Sequence, residues 1–222
     1  MVGGLLTKDI RGGWFVMRIE KHKTLVQIGT YNGADEFNCI VHGADPAKVV
    51  LVEPNKEMNA EIIKNYTGVN NVFIENSAIT EVDKGLVKLV HPADVPRKNR
   101  QFYNECFSLI PMDDWGTDFK HIIVPSLSFM DLCKKYELTN IHFLQIDAEG
   151  YDCEIIKSID FSKVNIDILK YENWSFPEDR FTRHGKKGKE YGINGMNYVA
   201  ELLKNLGYSL IEGKADIIAI KE

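Results

Sequence analysis

The stretch TLVQIGTYNG, from Thr24 to Gly33, organises the rest of the chain. Its first half is a short apolar run, which is typical of a strand buried on both faces of a parallel sheet. Its second half is a turn with glycine at 29 and 33, where the backbone can approach a ligand because glycine has no side chain. We therefore predict a strand over 24–29, a ligand-binding turn, and then a helix over about 35–42.

A second apolar run, VVLV at 49–52, stops at Glu53 and Pro54. Ligands of open parallel sheets bind outside the carboxyl ends of the strands, where an acid can accept hydrogen bonds from both hydroxyls of a ribose. Together the two stretches predict a nucleoside site. The alternative is a pair of buried strands followed by an ordinary loop and a surface glutamate.

The composition fits one globular α/β domain spanning residues 1–222, because 44% of the residues are hydrophobic and 27% are charged. The formal net charge of -5 argues against nucleic acid as a partner. No apolar run approaches the roughly 20 residues that span a bilayer, and the N-terminus does not have the pattern of a signal peptide. We therefore expect a cytoplasmic protein without a membrane span, whose oligomeric state the sequence does not predict.

Apolar runs alternate with helical patterns along most of the chain. Besides the strands at 24–29 and 48–53, the pattern predicts strands over 71–75, 141–146 and 166–171 and helices over 56–66, 127–136, 153–159 and 195–206. Ser126 is the expected N-cap of the helix at 127–136. The segments 208–211 and 216–221 are expected to form an antiparallel β-hairpin at the end of the sheet. This order predicts a Rossmann-like α/β fold with a mostly parallel sheet.

Three segments interrupt the alternation. Residues 1–22 have a ragged apolar pattern broken by Gly12 and Gly13, and we expect short helical pieces at the edge of the domain. Residues 81–125 contain several prolines and are interpreted as an irregular insert, with a hairpin on the sheet edge as the alternative. Residues 174–193 are polar and glycine-spaced, which favours a loop. The last two segments are expected to flank the active site.

The turn after the first strand identifies the kind of nucleoside. The dinucleotide fingerprint GxGxxG is absent, and there is no Walker lysine to hold a triphosphate. A nucleoside without phosphates fits better, and S-adenosylmethionine is the obvious candidate. Its amino-acid end is expected on the turn from Gly29 to Gly33, and its ribose at Glu53. A helix and hairpin after a fifth strand also fit the seven-stranded sheet of methyltransferases.

Residues from about Leu25 to Ile159 resemble the FkbM-type S-adenosylmethionine-dependent methyltransferases, which largely modify hydroxyl groups of sugars and natural products. The resemblance is carried by IGTYNG at 28–33, VEPN at 52–55, VPSLSFMDL at 124–132 and FLQIDAEG at 143–150. It implies that the cofactor is bound by the residues of the first two motifs and of the turn after the third strand, with Asp147 near the reacting centre. These expected cofactor residues are Gln27, Gly29, Thr30, Tyr31, Asn32, Gly33, Glu53, Pro54, Asn76, Ser77, Ala78 and Asp147.

The chain departs from the family pattern at two positions. Gln27 stands where the family commonly has an aspartate, so it can hydrogen-bond the cofactor but cannot offset its ammonium charge. Gln145 stands where a lysine is common. The departure at Gln27 bears on the affinity for the cofactor more than on its identity.

O-methylation requires an oxygen held in line with the methyl group and a path for the hydroxyl proton to leave. The candidate bases are Asp147, Glu149, Glu172 and His184. Helix capping or surface solvation is the alternative role for each acid, and solvent exposure for the histidine.

Asp147, Glu172 and Asn173 would meet at one edge if their strands are neighbours, because adjacent strands lie about 4.8 Å apart. This arrangement resembles catechol-type O-methyltransferases, and its oxygen ligands would favour Mg²⁺ or Mn²⁺. Carboxylates at strand ends also occur without metals, so both versions stay open.

The acceptor is interpreted from the segments 97–108 and 174–191, which combine aromatic with charged and amide side chains. That mixture matches a sugar or glycan, which has apolar ring faces and polar edges. The expected acceptor contacts are Tyr103, Ser108, Trp174 and Arg180. Another small or phenolic acceptor, or a cofactor-binding domain without catalysis, are the alternatives.

Overall fold

The computed structural model describes residues 4–8, 14–92, 107–110, 119–172, 195–213 and 215–222. Its strands, in chain order, are β1 (Gly4–Lys8), β2 (Trp14–Arg18), β3 (Thr24–Ile28), β4 (Lys48–Val52), β5 (Val72–Glu75), β6 (Ala78–Thr80), β7 (Leu86–Pro92), β8 (Phe119–Ser128), β9 (Asn140–Ile146), β10 (Asn165–Glu172), β11 (Tyr208–Glu212) and β12 (Asp216–Lys221). Its α-helices are α1 (Glu36–Ala44), α2 (Asn59–Asn65), α3 (Phe129–Lys135), α4 (Asp152–Lys157) and α5 (Met196–Asn205).

The main sheet has seven strands in the order β11-β12-β10-β9-β3-β4-β5. The five strands from β10 to β5 are mutually parallel, and β12 and β11 run antiparallel at one edge. From β3 the chain moves outward to β4 and β5, and it later returns to β9 on the other side of β3. The expected fold class is therefore confirmed, and the β3/β9 boundary is the switch point at which such sheets bind ligands.

The central strands are hydrophobic because both faces of the sheet are covered. Successive residues of β3 point to opposite sides, so Leu25 joins the core beneath α1 and Val26 joins the core beneath α3 and α4. Both side chains are 0% exposed. Burial on both faces explains why these strands are continuous apolar runs rather than alternating patterns.

The segment at 81–125 was expected to be irregular, and its described parts are largely strand. β7 and β8 pair antiparallel from Leu86↔Pro125 to Pro92↔Phe119, and β6 pairs with β8 in parallel. Together they form a separate three-stranded sheet. Two of the prolines that suggested irregularity, Pro92 and Pro125, lie at the two ends of this ladder, where a missing amide donor is tolerated. The other two, Pro96 and Pro111, lie outside the described residues.

Residues 1–22 were expected to be helical at the domain edge, and this expectation is wrong for the described part. β1 and β2 form an antiparallel pair from Gly4↔Arg18 to Lys8↔Trp14. The physical reason is the residue type, because the second run, WFVMR, is rich in aromatic and branched side chains that favour strands.

The helix expected at 127–136 begins two residues later. Its N-cap is Ser128 and not Ser126, because the Ser128 Oγ accepts a hydrogen bond from the Asp131 amide at 3.0 Å. Ser126 instead pairs with Ala78 inside β8. A run that is needed as a partner for β6 stays extended despite its helical pattern.

The other predicted elements lie within a few residues of their observed bounds, as is usual for helix ends. The segment 56–66 is divided into a 3-10 turn, Lys56–Met58, and α2. Within the described residues, no helix is both long and apolar enough to cross a membrane.

Candidate cofactor and active site

Gly29 brings the ends of β3 and β9 together. It has φ +81°, and a Cβ atom placed on it would lie 1.8 Å from the carbonyl oxygen of Asp147. The Asp147 amide donates to the carbonyl of Ile28 at 2.9 Å. No other residue type fits this position, because a side chain would occupy the space taken by the Asp147 backbone.

The rest of the turn is fixed by the neighbouring strand and helix. The amides of Gly29 and Thr30 both donate to the carbonyl of Val52, at 3.0 and 3.1 Å. Gly33 has φ +72°, and a Cβ atom there would lie 2.9 Å from the ring of Tyr66. These contacts within the protein fix the conformation of the turn, so the turn is preorganised for a ligand.

Glu53 ends β4 and connects the two predicted motifs. Its Oε2 accepts a hydrogen bond from the Tyr31 amide at 2.7 Å, and its Oε1 accepts one from the Asn55 amide at 2.8 Å. The residue is 7% exposed. Burial raises the pKa of Glu53 to about 7, although both amide hydrogen bonds act in the opposite direction. Each oxygen keeps a further lone pair for a ligand hydroxyl.

A first recess of about 290 Å³ opens beside these residues. Most of the expected cofactor residues line it, and so do two of the candidate bases, Asp147 and Glu149. The residues in question are Gly29, Thr30, Tyr31, Asn32, Glu53, Pro54, Ser77, Ala78, Asp147 and Glu149.

Three expected cofactor residues do not line the first recess. Gln27 is 0% exposed, and its Nε2 donates to the Asp35 carboxylate at 2.5 Å. Gly33 faces Tyr66. Asn76 donates to the carbonyl of Glu53 at 2.7 Å. These residues support the lining from behind, and their expected contact with the cofactor stays a prediction.

Sequence reasoning missed an apolar wall of the same recess. Ile79, Leu89, Phe107 and Leu109 line it, together with Tyr151. Leu89 reaches the site through β7, and the Phe107 ring lies near the His91 ring, tilted by 38° with ring centroids 5.0 Å apart. Ile79 and Leu89 are brought in by the pairings of β6 and β7 with β8, and the segment 107–110 by the hydrogen bonds between Ser108 and Val90 of β7. No local motif predicts this wall.

A second recess of about 300 Å³ lies at the same edge of the sheet. Asp35 and Asp147 line both recesses. The other lining residues of the second recess are Glu36, Gln145, Ile146, Lys170 and Asp216.

A polar row runs across the sheet beneath the second recess. Gln27, Gln145 and Lys170 are register partners on β3, β9 and β10. Each is at least nine-tenths buried. The Lys170 ammonium forms ion pairs with Glu36 and with Asp216, the latter at 3.3 Å. This lysine offsets part of the negative charge at the edge.

Asp147 is exposed and opens into both recesses. Partial desolvation of its carboxyl group raises the pKa of Asp147 above its ordinary range, and neighbouring carboxylates act in the same direction. These neighbours are Glu149, Glu172, Asp152 and Asp216. A carboxyl group with a raised pKa holds a proton more readily, which is the property of a general base.

Asp152 links the ends of β9 and β10 through backbone hydrogen bonds. Its oxygens accept hydrogen bonds from the amides of Ala148 at 3.1 Å and Glu172 at 3.3 Å. It is 0% exposed, and burial raises its pKa well above the ordinary range. One side chain thereby connects the loop after β9 to the end of β10.

The structure brings together two further candidate bases with Asp147. Glu149 follows β9 in a left-handed conformation, with φ 50°, and lines the first recess. Glu172 ends β10, the parallel neighbour of β9, so the expected adjacency of these strands is confirmed. The described residues contain no group of three or more His, Cys, Asp or Glu side chains placed to hold a metal ion.

Ser108 was expected to contact the acceptor. Its hydroxyl donates to the carbonyl of Glu149 at 2.8 Å and accepts from the Ile110 amide at 3.0 Å. The residue is 1% exposed. The structure therefore gives Ser108 a structural role and leaves its expected acceptor contact without support.

Five other predicted site residues lie outside the described residues. They are Tyr103, Asn173, Trp174, Arg180 and His184. Their expected roles in acceptor binding, metal binding and catalysis stay predictions.

The first recess fits S-adenosylmethionine on features of its own lining. The apolar wall at Ile79 and Leu89 suits a flat base, and the oxygens of Glu53 suit ribose hydroxyls. The absence of a side chain at Gly29 lets the backbone approach the ligand.

The chain was compared with known protein sequences and with solved structures. A comparison with curated protein sequences found no match. A solved putative methyltransferase from Streptococcus mutans, in complex with SAH, is 11% identical over 92% of this chain and 91% of that protein, with a TM-score of 0.48. A solved FkbM methyltransferase from Methylobacillus flagellatus KT is 12% identical over 91% of this chain but 44% of that protein, with a TM-score of 0.49.

The family assignment depends on the sequence rather than on these structural similarities. The family model described as "Methyltransferase FkbM domain" matches residues 27–210. This range includes the glycine turn, Glu53, Asp147 and four strands of the main sheet, β4, β5, β9 and β10. The chain therefore belongs to the FkbM methyltransferase family, whose members are S-adenosylmethionine-dependent.

Proposed function

We propose that this protein transfers the methyl group of S-adenosylmethionine to a hydroxyl of a sugar, glycan or glycoside. The observation that carries the proposal is the position of Asp147, which lines both the nucleoside recess and the second recess. A base at this junction would face the cofactor on one side and the acceptor on the other.

The lining of the second recess supports a polyhydroxyl acceptor. It offers the carboxylates of Glu36 and Asp216, the amide of Gln145 and the ammonium of Lys170. Carboxylates and amides bind sugar hydroxyls through directed hydrogen bonds. A phenolic acceptor would instead favour an apolar wall, and within the described residues the apolar wall belongs to the first recess.

The chemistry divides between the cofactor and the chain. Bound S-adenosylmethionine would supply an electrophilic methyl group on its sulfonium. The protein's task is to hold the acceptor oxygen in line and to receive its proton. Asp147 is the best-placed acceptor for that proton, since its raised pKa brings its basicity closer to the working pH.

A metal-assisted version of the same reaction is the alternative. Asp147 and Glu172 end neighbouring strands, and Asn173 would be the third oxygen ligand of Mg²⁺ or Mn²⁺. The ion would lower the proton affinity of the hydroxyl, so that Asp147 would act as a ligand and not as a base.

The test is a methyl-transfer screen with isotopically labelled S-adenosylmethionine and mass-spectrometric detection. The panel contains glycosides, nucleotide-linked sugars, simple phenols, catechols and RNA, each with and without a chelator. We expect labelled glycosides or nucleotide-linked sugars and no labelled RNA. Labelled phenols with inert sugars would contradict the proposed acceptor, and activity that a chelator abolishes would replace the base mechanism by the metal version.

A further inference from the structure

The amino-acid end of S-adenosylmethionine carries an ammonium group that needs a negative partner. The first strand offers a neutral amide at this point, because residue 27 is glutamine. We propose that Asp35 binds the cofactor's ammonium group, replacing the charge that β3 does not supply. The proposal rests on the proposed use of this cofactor and is independent of the acceptor.

Asp35 has the position that this role requires. It follows the turn from Gly29 to Gly33 and lines the first recess together with Tyr31 and Asn32. Asp35 also lines the second recess, so it lies on the side of the nucleoside site where the two recesses meet. By contrast, the apolar wall of the first recess belongs to β6, β7 and the segment 107–110.

The carboxylate of Asp35 is held in place by two donors. Its Oδ1 accepts from the Asn38 amide at 3.1 Å as the N-cap of α1, and its Oδ2 accepts from Gln27 Nε2 at 2.5 Å. A carboxylate has about four acceptor positions, so these bonds leave capacity for an ammonium group. An anchored carboxylate loses little side-chain freedom when it binds a ligand.

Gln27 is suited to orient Asp35 and not to meet the cofactor. It is 0% exposed, and its Nε2 points to Asp35 while its Oε1 has no hydrogen-bond partner among the described residues. An aspartate at position 27 would place a second buried carboxylate next to Asp35, which is unfavourable. The neutral glutamine and the acid at 35 are therefore compatible as a pair.

The other acids of the first recess are less suited to an ammonium group than Asp35. Both oxygens of Glu53 accept backbone amides, and burial raises its pKa to about 7, which reduces its negative charge at neutral pH. Asp147 lies among other carboxylates, and partial desolvation together with these neighbours raises its pKa as well. Glu149 lies beyond Asp147 on the loop that follows β9. Asp35 is the acid that belongs to the glycine turn.

The experiment compares two ligands by titration calorimetry. S-adenosylhomocysteine carries the ammonium group, whereas methylthioadenosine has the same nucleoside and sulfur but no amino-acid part. Asp35→Asn keeps a good N-cap and removes the charge. We expect it to weaken S-adenosylhomocysteine about tenfold, as for the loss of a charge-assisted hydrogen bond, and to change methylthioadenosine less than about twofold.

Two variants make the comparison specific. Asp35→Ser also keeps an N-cap residue without charge, and it should give the same pattern if Asp35→Asn folds poorly. Asp131→Asn removes a carboxylate from the first turn of α3, outside both recesses, and should leave both affinities unchanged. Thermal unfolding of each variant reports whether the fold is kept.

The pattern of affinities decides the outcome. A selective loss for S-adenosylhomocysteine in both Asp35 variants supports the proposal. Equal losses for both ligands, or no loss for either, would overturn it while leaving the cofactor and acceptor assignments intact. If the wild-type protein bound neither ligand, both the cofactor assignment and the proposal would be wrong.

Discussion

At the scale of single residues, the site is defined by carboxyl groups at the carboxyl edge of the sheet, of which Glu53 and Asp152 are buried and Asp147 is exposed. All three have raised pKa values, and desolvation by the surrounding protein is the largest cause in each case. Folding therefore places these acids where they are reluctant to ionise. Functional sites tolerate this energetic cost, and acids with shifted pKa values are concentrated there.

The first prediction concerns Asp147. Asp147→Asn preserves shape but removes the base, so turnover should fall about a hundredfold or more, while the affinity for S-adenosylhomocysteine changes little. Asp160→Asn, at an exposed ion pair with Lys163, is the control and should keep full activity. Single-turnover kinetics measures the effect, and near-normal rates in Asp147→Asn would remove this residue from catalysis in both the base and the metal versions.

The second prediction concerns Glu53 and pH. Its folded-state pKa of about 7 lies above its ordinary value of 4.5, so its contribution to stability is present in full below about 4.5 and is lost as the pH rises through 7. The free energy of unfolding of the ligand-free protein should therefore decline over this range, by at most ~3 kcal/mol from this group. Asp147 and Asp152 act in the same direction.

Urea unfolding at several pH values between 5 and 8 measures this decline. Glu53→Gln should make the pH dependence shallower, because the titrating group is gone. Glu57→Gln changes an exposed residue of the following turn and should leave the wild-type slope. A Glu53→Gln slope identical to the wild-type slope would show that another group is responsible.

At the scale of elements, the site depends on the contact between the ends of β3 and β9. The contact is so close that Gly29 admits no side chain, since a Cβ atom would meet the Asp147 carbonyl at 1.8 Å. The same contact places Asp147 against the glycine turn. Fold and site are therefore specified together at this point.

The third prediction separates crowding from backbone strain. Gly29→Ala should cost about 3 kcal/mol or more in the free energy of unfolding, since it adds a collision with Asp147 to the cost of a positive φ. Gly207→Ala, with φ +85° and no heavy atom within 4 Å of an added Cβ, should cost about 1 to 2 kcal/mol. Urea unfolding compares the two, and equal losses would contradict the close contact.

How far the sequence predicted each element depended on whether the signal was local. The strand and turn at 24–33 and the acid at 53 follow from apolar runs and glycine positions, and the structure has them at the same edge. Leu89 was missed as a recess residue because it arrives through the pairing of β7 and β8, which no short pattern encodes. Ser126 was misplaced as a cap for the same reason, since β6 holds it in a strand.

At the scale of the whole molecule, a parallel sheet brings distant parts of the chain to one edge. Asp35 follows the first motif, Glu53 the second and Asp147 the fourth strand of the predicted series, and all three line the first recess. The second recess adds Lys170 and Asp216 from the far side of the sheet. A nucleoside site and a polar acceptor site consequently share a boundary.

The measurement that tests the account most directly is titration calorimetry of S-adenosylmethionine and its demethylated product at pH 8, where Glu53 is largely ionised. We predict one site per chain, and a loss of about 1 to 3 kcal/mol of binding free energy in Glu53→Ala, because buried ribose hydroxyls lose charge-assisted hydrogen bonds. A folded wild-type protein that binds neither ligand, or a folded Glu53→Ala variant with unchanged affinity, would contradict the assignment of the first recess.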